Sequence, residues 1–401
     1  MEGKRKCYAT MALVAICIGY FAPNYAQYQL SPLAPGLMEE LGINASQFSS
    51  LFTSPMIPAI FLSLVAGILV DKFNPKLVVG AALIASTVGA FLNLVGNSYG
   101  ALFLGFALTG LSASFLNSCG AKLLGAWYEP DQISAKLGVV YAASTLAMTV
   151  AIATTAYFPN RTSAFTMTFI LFVVALFVWF VFYRSPAKSA TEAKALEESA
   201  APVRAQESLG VTLKWVMANR YVWFVGLALF FVMGGNVIMS SLVPTVLGQR
   251  GIGSVAAGYY SSIYTIGNLV ACFVAPLLAK KLGGTKRTVL IFALLAAVFV
   301  AFGCNAPEGV LLVLALFFAG FFVGGNIPLL FAVPIQLEGV GPELAGTAGG
   351  LVATVELLGA VLLPSYVLVP IAGSNLGVAF ILGGVCLVVT AVFSQLLPKR
   401  A

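Results

Sequence analysis

Twelve stretches of mostly apolar residues, each long enough to cross a bilayer, recur along the chain. That recurrence constrains the fold more than any other feature. A spanning helix needs about 20 such residues, because no water is present to satisfy an unpaired backbone group. The first six runs fall at roughly 8–30, 47–70, 77–96, 100–127, 134–157 and 163–183. The second six fall at roughly 221–245, 254–279, 287–305, 309–336, 344–371 and 375–397. Between the sets lies the longest polar stretch, 184–220, which carries Lys188, Glu192, Lys194, Glu197, Glu198, Arg204, Glu207 and Lys214. The expected fold is an all-α polytopic membrane protein of twelve transmembrane helices. It divides into a six-helix bundle over 1–183, a cytoplasmic central loop over 184–220 and a second six-helix bundle over 221–401.

Composition excludes most alternatives. Charged residues make up 9% of the chain and hydrophobic ones 60%, against about 25% charged in a soluble domain. The chain has no His, which removes serine-type triads, imidazole zinc sites and imidazole general bases. Its six Cys are scattered without a Cys-x-x-Cys pair, so neither a metal nor a redox framework is expected. No phosphate-binding Gly-x-x-x-x-Gly-Lys-Ser/Thr loop occurs, so ATP is not the expected energy source. Neither enzymatic activity nor a cofactor is expected.

The formal net charge of +7 reads as topology rather than as a nucleic-acid surface, because the basic residues cluster between apolar runs. With twelve spans, 19 of the 21 Lys and Arg residues fall on the side of the termini. Only Arg161 and Arg250 fall on the other. The positive-inside rule then places both termini in the cytoplasm. The apolar run after Lys4-Arg5-Lys6 outlasts the core of a signal peptide and is expected to stay as the first span. Two Asn-x-Ser/Thr triplets, at Asn44 and Asn160, fall on the outer side. The short loops favour a bacterial inner membrane.

The chain contains a duplication. A shift of 212 positions places Asn24 on Asn236, Leu30 on Leu242, Pro32 on Pro244, Ser49-Ser50 on Ser261-Ser262 and Thr53 on Thr265. Polar and Pro matches at one offset carry weight in so apolar a chain, and they support two related halves.

After the second run the chain reads Gly67-Ile68-Leu69-Val70-Asp71-Lys72-Phe73-Asn74-Pro75-Lys76. This resembles the major facilitator superfamily signature G-x-L-a-D-r-x-G-r-k, with Asn74 and Pro75 in place of its Gly and Arg. A degenerate copy, Pro276 to Gly283, follows the eighth run. The resemblance implies a secondary transporter that is monomeric by default, with Gly67, Asp71 and Lys72 as gating residues that latch the two halves. The segment Gly120 to Tyr128, with Gly324-Gly325-Asn326 and Gly346 to Gly350, is similar to the carboxylate and anion permeases of that superfamily. It is also somewhat similar to heme and choline carriers. Proton-driven drug antiporters carry an Arg four residues before a Gly in the fourth helix; here Phe106 stands four before Gly110.

One ionisable residue, Glu356, lies near the centre of a run. Charge at bilayer depth is costly, so such a residue is a functional candidate by default. It is expected to be a proton-coupling site, a ligand for a cationic solute or a Na⁺ ligand; the structural alternative is a neutral Glu bonded to a neighbouring helix. Polar and aromatic residues cluster near mid-run on the helices that line the cavity in this superfamily. Asn24, Tyr25, Gln27, Tyr28 and Gln29 lie on the first, where Pro23 is expected to loosen the helix. Asn117 lies on the fourth, Tyr141, Ser144 and Thr145 on the fifth and Asn236 on the seventh. Tyr260, Tyr264 and Asn268 share one face of the eighth, and Asn326 lies on the tenth. Amides and phenols both donate and accept, so they suit a carboxylate, an amide or a hydroxyl, and Tyr rings also suit a cation. The expected substrate-binding set is Asn24, Tyr28, Asn117, Tyr141, Asn236, Tyr260, Tyr264, Asn268 and Asn326. The competing reading for each is interhelical hydrogen bonding, and the run Gly346 to Gly350 reads as close helix packing.

The function these readings lead to is transport of a small organic solute by alternating access. The first expectation is a small carboxylate moved with H⁺ or by exchange. The alternative is an organic cation or a neutral metabolite with Glu356 as counter-ion.

Overall fold

Among the described residues of a computed structural model, eleven helices are long and apolar enough to cross a membrane. The structure describes residues 2–62, 69, 73–184, 209–334, 337, 340–373 and 375–398. No strand occurs among the described residues. The second expected span begins as Ala45–Thr53, continues through a 3₁₀ turn at Ser54–Met56, and passes into residues outside the described set. The expected gate residues Gly67, Asp71 and Lys72 also lie outside the described residues.

Short polar side chains start several of the helices. The Asn44 side chain accepts from the Gln47 N–H in a full capping box, and Ser98 and Asn160 accept from Ala101 and Ser163. Asn74 accepts from Lys76, with Pro75 in the first turn. Each such oxygen satisfies a donor that the helix leaves open. Both Asn-x-Ser/Thr triplets are therefore helix starts.

The helices depart from the apolar runs in three places. The first helix, Glu2–Tyr28, runs through Pro23 unbroken, makes one turn at Gln29 and resumes as Leu30–Leu41. Gly42 ends it with a left-handed φ of 63°, a conformation that glycine adopts without strain. The seventh helix, Arg220–Gln249, also outruns its apolar stretch. The eleventh, Gly341–Leu362, passes into a π turn at Leu363–Leu368 and ends as Val369–Ala372.

Neighbouring helices approach closely through glycine. A β-carbon on Gly110 would overlap the Pro55 carbonyl, and one on Gly320 would overlap the Tyr264 carbonyl. These are equivalent crossings, fourth helix on second and tenth on eighth. Within the run Gly346 to Gly350, a β-carbon on Gly349 or Gly350 meets nothing within 4 Å, so close packing is not the reason for glycine at those two positions.

The duplication is visible in the helix ends too. Lys76, at the start of the third span, donates to the Phe180 carbonyl at 2.7 Å. Lys286, at the start of the ninth, donates to the Gln395 and Leu397 carbonyls at 2.8 and 2.7 Å. In each half a cation thus closes the exposed carbonyl end of the last span.

The two halves meet at the end remote from the chain termini. There Ser31 donates to the Ser241 carbonyl at 3.2 Å, and Thr149 and Thr265 share a hydrogen bond of 2.9 Å. Ser365, inside the π turn, takes Ser46 on its carbonyl, while its hydroxyl meets Thr53 and Ser49 at 3.3 Å each. Tyr157 and Tyr259 meet through their hydroxyls.

Candidate functional site

Below this closed end lies a cavity of about 160 Å³ between the halves. A dry cavity of roughly 150 Å³ holds one benzene ring, which sets the scale of solute that fits. Its walls come mainly from the first, second, fourth and fifth spans, with Leu357 of the eleventh facing them. No Lys, Arg, Asp or Glu is among the lining residues.

The first span turns one face to the cavity: Tyr20, Asn24 and Gln27, spaced by four and three residues, all line it, as neighbours on a helix surface do. Tyr20 holds two of the amides. Its hydroxyl donates to Asn117 Oδ1 at 2.7 Å, and its backbone carbonyl accepts from Asn24 Nδ2 at 2.8 Å. Gln27 Nε2 donates to the Phe52 carbonyl at 3.0 Å. The Tyr20 and Tyr141 rings meet edge to face with centroids 6.3 Å apart.

Glu356 lies beside this cavity. On its helix, Val355 packs against Gly226 and Gly359 against Phe230 of the seventh span. Glu356 is half-buried and interacts electrostatically with Tyr141 of the opposite half. Among the described residues its carboxyl has neither an ion-pair nor a hydrogen-bond partner; the ion pair of the described residues is Arg161 with Glu40, 3.3 Å apart.

The structure sorts the nine expected binding residues into three places. Asn24, Asn117 and Tyr141 line the cavity. Tyr28, Asn236 and Tyr264 are buried together across the half interface. The Tyr264 hydroxyl donates to Asn236 Oδ1 at 2.7 Å, and both Tyr28 and Tyr264 reach Ser240. They form a polar plug joining the halves rather than a wall of the cavity. Tyr260, Asn268 and Asn326 lie elsewhere. Tyr260 packs on the hydrophobic core, Asn268 rests on Gly324 of the tenth span, and Asn326 is fully buried with its amide donating to the Phe322 carbonyl at 2.7 Å.

Tyr20 is the residue the sequence reading misses. A Tyr in an apolar run carries little signal of its own, and its partner Asn117 is 97 positions away. The available signal was its spacing of four from Asn24, which puts both on one face.

Comparison with known proteins agrees with this architecture. The Major Facilitator Superfamily profile matches residues 14–364. A curated relative, the nitrate/nitrite transporter NrtP of Picosynechococcus, is 22% identical over 121 residues, covering 30% of this chain and 22% of that protein. The match thus spans less than a quarter of that relative's length. Among solved structures, a mutant of the nucleoside transporter NupG superposes with a TM-score of 0.75 at 14% identity, covering 96% of this chain and 99% of that one. The D-xylose–proton symporter gives 0.73 at 15% identity, covering 98% and 99%. A bacterial homologue of the human lysosomal transporter Spinster, inward-facing and unoccupied, gives 0.72 at 13%, covering 97% and 95%. At these identities the likeness is one of fold. The profile match over most of the length, with the paired helical halves and the cavity between them, makes this chain a member of the Major Facilitator Superfamily.

Proposed function

We propose that this transporter moves a small organic solute across a cell membrane by alternating access, with Glu356 coupling the movement to H⁺. The observation that carries the reading is the setting of Glu356. It stands without a described partner, next to the cavity, in the middle of a span. A carboxyl so placed is retained against the cost of burying it. The two halves, clasped at one end around a cavity, supply the two-state element that alternating access needs. By the positive-inside rule the termini are cytoplasmic, so this is the state closed to the outside. The protein is expected to act as a monomer in a bacterial inner membrane. Gly67, Asp71 and Lys72 would form the opposite, cytoplasmic latch, by resemblance to the superfamily signature.

The solute class divides on charge. A small carboxylate entering with H⁺ is supported by the amide and phenol donors around the cavity and by the partial likeness to NrtP. A cationic or neutral solute is supported by the absence of any basic side chain among the lining residues.

The test uses proteoliposomes with an imposed pH gradient. Glu356→Gln is expected to abolish gradient-driven solute accumulation while solute exchange persists. Accumulation that still follows the pH gradient in that variant overturns the coupling role.

A further inference from the structure

The amides of the first span are locked in a way that specifies what they offer a solute. Asn24 Nδ2 donates to the Tyr20 carbonyl, and Gln27 Nε2 donates to the Phe52 carbonyl. A backbone carbonyl can only accept, so the chemistry of the partner fixes which end of each amide is engaged. Each amide thus keeps its whole oxygen unengaged, with one N–H remaining beside it. Asn24 and Gln27 are three residues apart on the same cavity wall. That wall therefore presents two unengaged acceptor oxygens. The Glu356 carboxylate, beside Tyr141, adds acceptors and negative charge. The opposite character sits on Asn117, whose Oδ1 is taken by the Tyr20 hydroxyl and whose free end is its NH₂ group.

We infer that the cavity selects a small solute whose binding face carries N–H donors, a primary ammonium above all. This rests on the transport reading given above and decides its solute class. An ammonium presents three donors and no acceptor. Two would meet Asn24 Oδ1 and Gln27 Oε1, its charge would be balanced by Glu356, and the edge-to-face Tyr20–Tyr141 pair offers ring surface to a cation. A carboxylate would set its charge against Glu356 and its lone pairs beside two unengaged amide oxygens, with no Lys or Arg among the lining residues to balance it.

The test is equilibrium binding to the purified full chain in detergent, with three small probes: butylammonium, tetramethylammonium and butyrate. Butylammonium is expected to bind. Tetramethylammonium has the charge without N–H donors and is expected to bind at least about tenfold more weakly. Butyrate is not expected to bind. Asn24→Leu, which removes one acceptor, should weaken butylammonium binding several-fold, and Glu356→Gln should weaken it further without abolishing it. Because Asn24→Leu also frees the Tyr20 carbonyl and can perturb folding, Asn24→Asp serves as the partner variant; it keeps acceptor oxygens, adds charge, and should bind butylammonium at least as tightly as the parent. Equal binding of tetramethylammonium and butylammonium overturns the donor assignment. Preferential binding of butyrate, or binding of none of the three, overturns the inference. Counterflow separates this failure from that of the underlying reading. Proteoliposomes that exchange butyrate but not butylammonium refute the ammonium assignment and leave transport standing. Proteoliposomes that exchange no solute of any charge class refute transport itself.

Discussion

At the residue scale, Tyr20 organises the cavity although it is not its most conspicuous member. Its hydroxyl orients Asn117 and its carbonyl orients Asn24, so one side chain and its own backbone set the polarity of two amides. Tyr20→Phe keeps the ring and the carbonyl and removes only the bond to Asn117. A single neutral hydrogen bond of this kind is worth about 1 kcal/mol, or about fivefold in affinity. Solute binding is expected to weaken by about that factor while the melting temperature stays within a few degrees. A variant that loses stability but not affinity would make Tyr20 a packing residue only. Gln27, by contrast, was visible as a polar residue in an apolar run, as were Asn24 and Glu356. What the sequence could not convey was direction. Tyr28, Asn236 and Tyr264 look the same in the chain as Asn24 and Tyr141, yet Tyr264 bonds to Asn236 within the second half, and Tyr28 of the first half is buried against Ser240 beside them.

At the scale of elements, helix ends carry more information than helix middles. The apolar runs locate the spans, but they do not reveal that the first helix reaches Leu41 or the seventh Gln249. Those extensions lie beyond the apolar core and are held by contacts between halves, such as Ser31 with the Ser241 carbonyl, which no local pattern records. Nor does the sequence announce the π turn at Leu363–Leu368, where an extra residue re-aims Ser365 towards the second span. The lysine caps are a different case, since a Lys at the start of one span reads as topology. Its second role appears only when the last span of the same half is brought alongside. Lys286→Met should leave the three-dimensional fold intact and remove the cation from two carbonyls at the end of Leu376–Gln395. A favourable helix-end charge contributes about 0.3–1 kcal/mol. A lowered melting temperature, with retained solute affinity, is the expected result; an unchanged melting temperature would show the cap to be inert.

At the scale of the whole molecule, the residues that betray the duplication are the ones that join its halves. Thr53 and Thr265 match at the repeat offset. Thr53 meets Ser365 on the eleventh span, and Thr265 meets Thr149 on the fifth. Second span with eleventh and eighth with fifth are the same contact seen from the two halves. The polar matches that mark the repeat in sequence are thus explained by a two-fold clasp of hydroxyls at the closed end. Such bonds suit a surface that must part. An interhelical hydrogen bond in a membrane protein contributes about 0.6 kcal/mol, far less than a buried apolar contact surface would, so each can break in a transport cycle. Their sum still sets the balance between states. Replacing Ser46 with Ala and both Thr53 and Thr149 with Val removes bonds from each side of the clasp, together about 2 kcal/mol if they act independently. That corresponds to a shift of roughly twentyfold towards the state open at this end. Spin labels placed on the Tyr157 and Tyr259 positions, one on each half, should show the longer distance gaining population in the triple variant. If the distance distribution stays unchanged, the clasp is a consequence of closure rather than a determinant of it, and the buried plug of Tyr28, Ser240, Asn236 and Tyr264 becomes the element that holds this end shut.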